Sequence, residues 1–260
     1  MFSSLIFLFQ AATPLSAQPF PTLDEVQFAE CLTLARSDSA SAVMDASLWG
    51  QQGGGYLAKA CHGFALASDF RFAEAVPILT EAAQGADAKS DPRAARFWAQ
   101  AGNAAIADSK PAEALVALDK ALASAAPNNA ERADIEVDRG RTLVALGQMK
   151  DAATALDSAR TLGPENGTAW LLSATLARRM EKLPDAVSYI QTAASLLPRD
   201  PAVALEAGNI AIAAGDEAAA RKQWEQVVTI APASRQANSA QAQLAALSAT
   251  PAPPAEPQSR

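Results

Sequence analysis

The sequence predicts an all-α fold in which pairs of helices stack into a right-handed α-solenoid. Three observations support this prediction. Pro164, Pro198 and Pro232 follow one another at a constant interval of 34 residues, which is typical of a helical repeat. Small and large residues recur at fixed distances from these prolines. The segments between them are rich in Ala, Leu, Glu, Gln and Arg, which favour helices, and no strand pattern competes.

Each repeat is expected to contain two closely packed helices. An alanine lies twelve residues before each proline, and a large apolar residue lies eight before it: Ala152, Ala186 and Ala220, with Leu156, Ile190 and Trp224. A further small residue lies twelve before each alanine: Gly140, Ala174 and Gly208. Small residues allow two helices to approach closely, and a large residue fills the space left between them. We therefore predict one crossing of this kind in every repeat.

Two looser copies of the pattern precede these three, centred on Ala75 and Ala114. Their spacing exceeds the period, and we expect the extra residues, 85–91 and 128–131, to lengthen loops. The predicted organisation is a degenerate helical pair over 18–55, a five-unit array over 56–234 and a capping helix over 235–247. Residues 248–260 are rich in proline and are expected to form a disordered tail.

Composition excludes one class of partner. The 260 residues carry a net charge of -7, and aromatic residues make up 6% of the chain. Binding to phosphates requires clustered Lys and Arg, and base stacking requires exposed aromatic rings. The sequence has no basic run, so we expect no nucleic-acid partner.

The sequence also offers little for catalysis. His62 is the only histidine, so a metal site built from several histidines is excluded. Its neighbour Cys61 would point about 100° away on a helix, which argues against a reactive thiol pair. The glycines at 53–55 lack the Lys and Ser/Thr of a phosphate-binding loop and are read as a turn. We expect no catalytic residue, no metal, no cofactor and no small-molecule ligand, and hence a protein that is not an enzyme.

The N-terminal segment predicts export. A short apolar stretch, residues 5–9, precedes small residues that end near Ala17, as in a cleaved signal peptide over 1–17. The apolar stretch is too short to span a bilayer, so no stable transmembrane segment is expected after its removal. The alternative is an apolar N-terminal tail of a cytosolic protein, because the segment carries no Lys or Arg. We expect an exported, periplasmic protein.

The recurrence in phase of Trp98 or Trp170, Gly140, Ala152 and Pro164 resembles the tetratricopeptide repeat, over residues 56–234. The resemblance implies a concave groove lined by the first helix of each repeat and a protein or peptide partner bound there. The side chains that it places in the groove are Phe64, Arg96, Asn103, Ile106, Asp134, Arg141, Val144, Thr175, Arg178 and Asn209. Asparagine can hydrogen-bond a peptide backbone, and arginine can hold a carboxylate.

First helices of adjacent repeats lie side by side in such arrays, which bears on Cys31 and Cys61. Cys31 lies in the first helix of the degenerate pair and Cys61 in the first helix of the next unit. An oxidising compartment would permit a disulfide that ties this pair to the array. The alternative is two separate buried thiols.

The sequence therefore predicts a non-enzymatic scaffold of the cell envelope that binds a protein or peptide through its groove. Two alternatives stay open. One is an accessory subunit of envelope biogenesis that presents a substrate to an enzyme, and the other is a glycan-binding protein.

Overall fold

The structure is a computed structural model that describes residues 21–124 and 127–249. Within these ranges it contains thirteen helices and no strand. The bounds of the helices are α1 Leu23–Ser37, α2 Ser39–Gln51, α3 Gly55–Ser68, α4 Phe72–Ala88, α5 Ala94–Ala107, α6 Pro111–Ala123, α7 Asn129–Ala145, α8 Met149–Leu162, α9 Gly167–Arg179, α10 Leu183–Leu196, α11 Pro201–Ala213, α12 Glu217–Ile230 and α13 Arg235–Ala249. The all-helical solenoid predicted from the sequence is confirmed.

Local sequence explains where several helices begin. The hydroxyl of Thr22 accepts a hydrogen bond from the backbone N–H of Glu25, whose carboxylate accepts one from the backbone N–H of Thr22. Asn128 and Glu131 form the same reciprocal cap at α7. Such boxes satisfy N–H groups that have no partner within the helix. Pro201 at the first position of α11 fixes a helical φ and lacks an N–H that would need a partner.

Four pairs of helices cross where the sequence places a glycine. At three crossings the position that a Cβ would occupy lies 2.6 to 2.8 Å from a leucine Cγ of the second helix: Gly63 against Leu79, Gly102 against Leu118, and Gly140 against Leu156. Gly208 meets the indole of Trp224 in the same way. A side chain on these glycines would displace a buried residue, so the close approach of the helices depends on glycine at these positions.

The helical pairs stack so that their first helices come together. Helices α1, α3, α5, α7, α9, α11 and α13 contact one another in succession. Among the described residues, no comparable contact joins the second helices of successive pairs. A stack in which one row of helices touches and the other row splays curves toward the touching row. The face formed by the odd-numbered helices, here called the first-helix face, is therefore the concave one.

Two expected loops are helical instead. Helix α4 continues through Ala88, so residues 85–88 of the expected loop belong to it. Ala86 is fully buried there, and Asp87 accepts a hydrogen bond of 2.6 Å from the indole N–H of Trp98. Likewise, residues 129–131 form the first turn of α7 rather than a loop. Burial stabilises the helical conformation of residues 85–88, and the capping box stabilises that of residues 129–131.

The ends of the chain differ from the prediction or lie outside the described residues. The capping helix α13 continues to Ala249, two residues beyond the expected end at 247. The predicted signal peptide over 1–17 and the predicted tail from residue 250 onward lie outside the described residues. Across residues 21–124 and 127–249, no helix combines the length and apolar character needed to cross a bilayer. The same residues gather no group of three or more His, Cys, Asp or Glu side chains suited to a metal ion.

Candidate functional site

The ten residues expected in the groove all lie on first helices. Phe64 belongs to α3, and the others follow on the next four first helices: Arg96, Asn103 and Ile106 on α5, Asp134, Arg141 and Val144 on α7, Thr175 and Arg178 on α9, and Asn209 on α11. The ten residues therefore lie on helices that contact one another in succession and together form the first-helix face. Their side chains nevertheless fall into separate groups with different partners.

One group lines a cavity between α7 and α9. Arg141, Val144 and Thr175 line it together with Leu172 and Arg179, and its volume is about 150 Å³. Its floor is apolar, because Gly140, Leu156 and Leu176 also border it. The cavity therefore combines apolar surface with two guanidinium groups and one hydroxyl. We refer to it below as the central cavity.

Arg179 was not among the expected groove residues. It lies four residues after Thr175, one helical turn away on the same face of α9. It is exposed, and no carboxylate pairs with it among the described residues. Its spacing from Thr175 could have indicated its place in the groove.

A second group surrounds the carboxylate of Glu206 on α11. Arg178 donates from Nε and Nη2 to its two oxygens over 2.6 and 3.2 Å, and Asn209 donates from Nδ2 to Oε2 over 3.3 Å. Glu206 is buried, at 6% exposure. Arg178 and Asn209, expected to contact a partner, are thus engaged within the chain. Their interaction joins the first helices of two repeats.

The carboxylate of Asp138 on α7 also accepts hydrogen bonds from an arginine and an asparagine. It accepts a hydrogen bond of 3.0 Å from Arg141 and another from the side chain of Asn103 on α5. Burial raises the pKa of the Asp138 carboxyl, although these two donors act in the opposite direction. Asp138 and Glu206 both lie fourteen residues before a crossing alanine. Neither residue was among those expected in the groove; the shared offset places both at one repeat position but does not reveal their partners.

Two further groove residues connect first helices near their N-terminal ends. Arg96 on α5 donates from Nε to Glu131 of α7 over 2.6 Å, and Asp134 accepts a hydrogen bond of 2.8 Å from Asn166 before α9. The Arg96 guanidinium, together with the capping hydrogen bond at Asn128, lowers the pKa of the Glu131 carboxyl. These contacts hold the first helices of successive repeats together.

The N-terminal pair is joined to the array through sulfur. Cys31 on α1 and Cys61 on α3 have Cα atoms 6.1 Å apart, and the structure links their side chains as a disulfide. A Cα separation of about 4.4–6.8 Å is usual for this bond. Both residues are buried.

A model of the tetratricopeptide repeat family matches residues 137–201 and 171–237. No significant match was found among curated proteins. The matched range covers the repeats in which the central cavity and the Glu206 interaction lie.

Solved structures match over much more of the chain. PilW, described as a widely conserved type IV pilus biogenesis factor, is 19% identical over 85% of this chain and 99% of its own, with a TM-score of 0.71. PilF of Pseudomonas aeruginosa is 16% identical over the same shares, with a TM-score of 0.65. YrrB, described as a TPR protein with an unusual peptide-binding site, is 19% identical over 83% of this chain and 97% of its own, with a TM-score of 0.52. At these identities the likeness concerns the fold alone.

The stacked pairs, their small-to-large crossings and the concave first-helix face define a helical-repeat scaffold of the kind used in protein interactions. Residues 137–237 match the tetratricopeptide repeat family, as the spacing of glycines, alanines and prolines predicts for this part of the chain. The fold is that of solved tetratricopeptide-repeat structures.

Proposed function

We propose that this protein is a non-enzymatic scaffold that binds a peptide or a protein segment on its first-helix face. The central cavity is the observation that carries the proposal. It brings together Arg141, Val144 and Thr175, which are expected in the groove, and adds Arg179, which has no carboxylate partner among the described residues. An apolar floor with hydrogen-bond donors at its rim suits a peptide side chain and the polar atoms beside it.

The proposed location is the cell envelope, after export. Its support is the signal-like pattern of residues 1–17 and the presence of two cysteines that can form a disulfide in an oxidising compartment. The description of YrrB mentions a peptide-binding site and that of PilW mentions pilus biogenesis. These descriptions make a peptide partner and an envelope assembly reasonable hypotheses for this chain.

A glycan ligand has less support. Sugar rings stack on exposed aromatic rings, and Phe64 is the aromatic residue expected in the groove. Phe64 is half-buried, and the guanidinium of Arg36 lies over its ring at 5.9 Å from the centroid. A role as an accessory subunit that presents a substrate to an enzyme would use the same peptide-binding face.

The test places bulk and charge in the central cavity. Thr175→Arg would fill it, whereas Thr229→Arg on the second helix α12 is a matched control. The two hydroxyls make the same hydrogen bond, to the carbonyl four residues earlier. Partners would be captured from envelope extract with wild type and both variants, after circular dichroism shows equal helicity.

We expect a specific partner to be lost with Thr175→Arg and retained with Thr229→Arg. Equal recovery with both variants would contradict binding at the central cavity. Arg178→Glu is a poor choice for this test, because it would set a second carboxylate against buried Glu206.

A further inference from the structure

A second cavity opens on the same face, at its N-terminal end. Its volume is about 240 Å³, and it lies between α1, α3 and α5. Apolar side chains form most of its wall: Phe28, Leu32, Phe64 and Phe97, with Leu79 behind them. Three arginines border it as well, Arg36, Arg93 and Arg96. We call it the arginine pocket.

The three arginines differ in whether a carboxylate of the chain neutralises their positive charge. Arg93 donates to both oxygens of Asp91 and also lies 3.6 Å from Glu25. Arg96 is paired with Glu131. Arg36 is exposed and has no carboxylate partner among the described residues, and its guanidinium lies over the ring of Phe64. The pocket therefore has one uncompensated positive charge at its edge, set beside an aromatic surface.

The size of the pocket suits one large apolar side chain. An apolar protein cavity of about 150 Å³ is enough to bind benzene. Phe28 and Phe97 already pack edge to face, with ring centroids 5.8 Å apart, and an entering ring could make similar contacts. The arginine pocket is thus large enough for a phenylalanine or leucine side chain.

We infer that the arginine pocket binds a peptide segment in which a large apolar side chain stands next to an acidic residue. The apolar side chain would enter between Phe28, Phe64 and Phe97, and the carboxylate would pair with Arg36. This inference rests on the proposed function and adds the chemistry of the partner. It concerns acidic side chains within a segment and requires no free C-terminus.

The charge of the ligand distinguishes an acidic peptide segment from other possible occupants of the arginine pocket. The chain as a whole has a net charge of -7, so it repels acidic segments except where a cation is unpaired. Residues 1–20 contain apolar side chains and no Asp or Glu, so the protein's own N-terminal segment lacks the acidic group. A separate acidic segment provides both features.

The experiment uses three fluorescent peptides with blocked ends. The first is Ser-Gly-Asp-Phe-Glu-Gly-Ser. The second replaces its acids with Asn and Gln, and the third replaces its Phe with Ser. Binding to the full chain would be followed by fluorescence anisotropy. We expect the first peptide to bind about tenfold more tightly than either of the others, because each lacks one of the two interactions.

Protein variants locate the binding. Arg36→Gln should weaken the first peptide about tenfold, since a charge-assisted hydrogen bond is lost. Arg221→Gln on α12 is the control, because Arg221 is exposed and no carboxylate pairs with it among the described residues. It should leave the affinity unchanged.

Several results would overturn the inference. They are equal binding of the acidic and neutral peptides, equal effects of Arg36→Gln and Arg221→Gln, and Arg36-dependent binding to phosphatidylglycerol vesicles with no binding of the peptide. Absence of peptide binding, while partner capture still depends on Thr175, would reject the inference and leave the proposed function standing. Absence of both would reject the two together.

Discussion

Arg178 of α9 holds the buried carboxylate of Glu206 on α11 with two of its nitrogens, the shorter separation being 2.6 Å. The two residues are 28 positions apart in the chain and belong to successive repeats. Apolar contacts are non-directional and do not by themselves define the relative position of two helices. A forked ion pair requires a defined geometry, so it fixes the relative position of two first helices.

Removing Arg178 should therefore be costly. Arg178→Ala would leave Glu206 buried with only the hydrogen bond from Asn209, and we expect the free energy of unfolding to fall by about 2–3 kcal/mol. Glu206→Ala should cost less, since the Arg178 side chain is 27% exposed and can be hydrated. Urea unfolding followed by circular dichroism would measure both. Arg199→Ala, at an exposed arginine, is the control, and an Arg178→Ala protein as stable as this control would refute the role of the pair.

Glycine substitutions should have opposite effects at two helical positions. Gly140→Ala places a Cβ 2.8 Å from Leu156 Cγ, and we expect a loss of about 1–3 kcal/mol. Gly50→Ala meets nothing nearer than Ala58 Cβ at 4.0 Å, so higher helix propensity should stabilise the protein by about 0.5–1 kcal/mol. Thermal unfolding of the two variants tests this. Shifts of the same sign would contradict the packing described for the crossings.

The disulfide between Cys31 and Cys61 should be present in protein isolated from its native compartment. Thiol titration after denaturation should give no free thiol without reductant and two with it. With the cysteines 30 positions apart in the sequence, the bond should contribute about 3–4 kcal/mol to the stability of the N-terminal pair. Limited proteolysis should then cut within α1 and α2 faster in the Cys31→Ser protein. Two free thiols without reductant would show the cysteines to be separate.

Asp91 should make stability depend on pH. The hydrogen bond from the Arg93 side chain lowers the pKa of its carboxyl to about 2, from 3.8, and the hydroxyl of Tyr56 helps as a donor over 2.6 Å. A depressed folded-state pKa adds stability that is present above pH 3.8 and is lost as the pH falls through 2. We expect Asp91→Asn to lower the free energy of unfolding by roughly 1–2 kcal/mol at pH 7.

The difference between wild type and Asp91→Asn should narrow below pH 3.8 and vanish as the pH falls through 2, because the Asp91 carboxyl then becomes protonated and both side chains are uncharged. Urea unfolding at pH 7, 5 and 3 would follow the difference. Glu165→Gln, at an exposed carboxylate for which the described residues provide no cationic partner, should differ little from wild type at any of these pH values. A difference between wild type and Asp91→Asn that stays constant with pH would exclude the ion pair as its cause.

The repeat period is sufficient to predict the solenoid, because packing at each crossing demands a small residue such as Gly140 at a fixed distance from its large partner. The helical end of α4 could not be predicted in this way. Its residues 85–88 resemble a polar loop, and burial of Ala86 with the hydrogen bond from Trp98 to Asp87 decides their conformation. The start of α7 could have been predicted, since its capping residues, Asn128 and Glu131, are three positions apart in the sequence.

For the candidate site, repeat spacing predicts which side chains share a face but not which of them are paired. Asp138 and Glu206 occupy the same repeat position, yet the corresponding residues in the other units are Cys61, Gln100 and Leu172. With no recurrent charge at this position, the sequence gives no sign that these two carboxylates would pair with Arg141 and Arg178, which were expected to contact a partner in the groove. Long-range side-chain pairing depends on distances between helices that only the structure supplies.

Site-specific photo-crosslinking tests binding on the first-helix face most directly. Thr175→p-benzoylphenylalanine would report contacts at the central cavity, and Thr229→p-benzoylphenylalanine would report contacts on the second helix α12. After irradiation of intact cells, we predict one defined crosslinked protein for position 175 and none for position 229. The same crosslinked protein from both positions, or from position 229 alone, would contradict binding at the first-helix face.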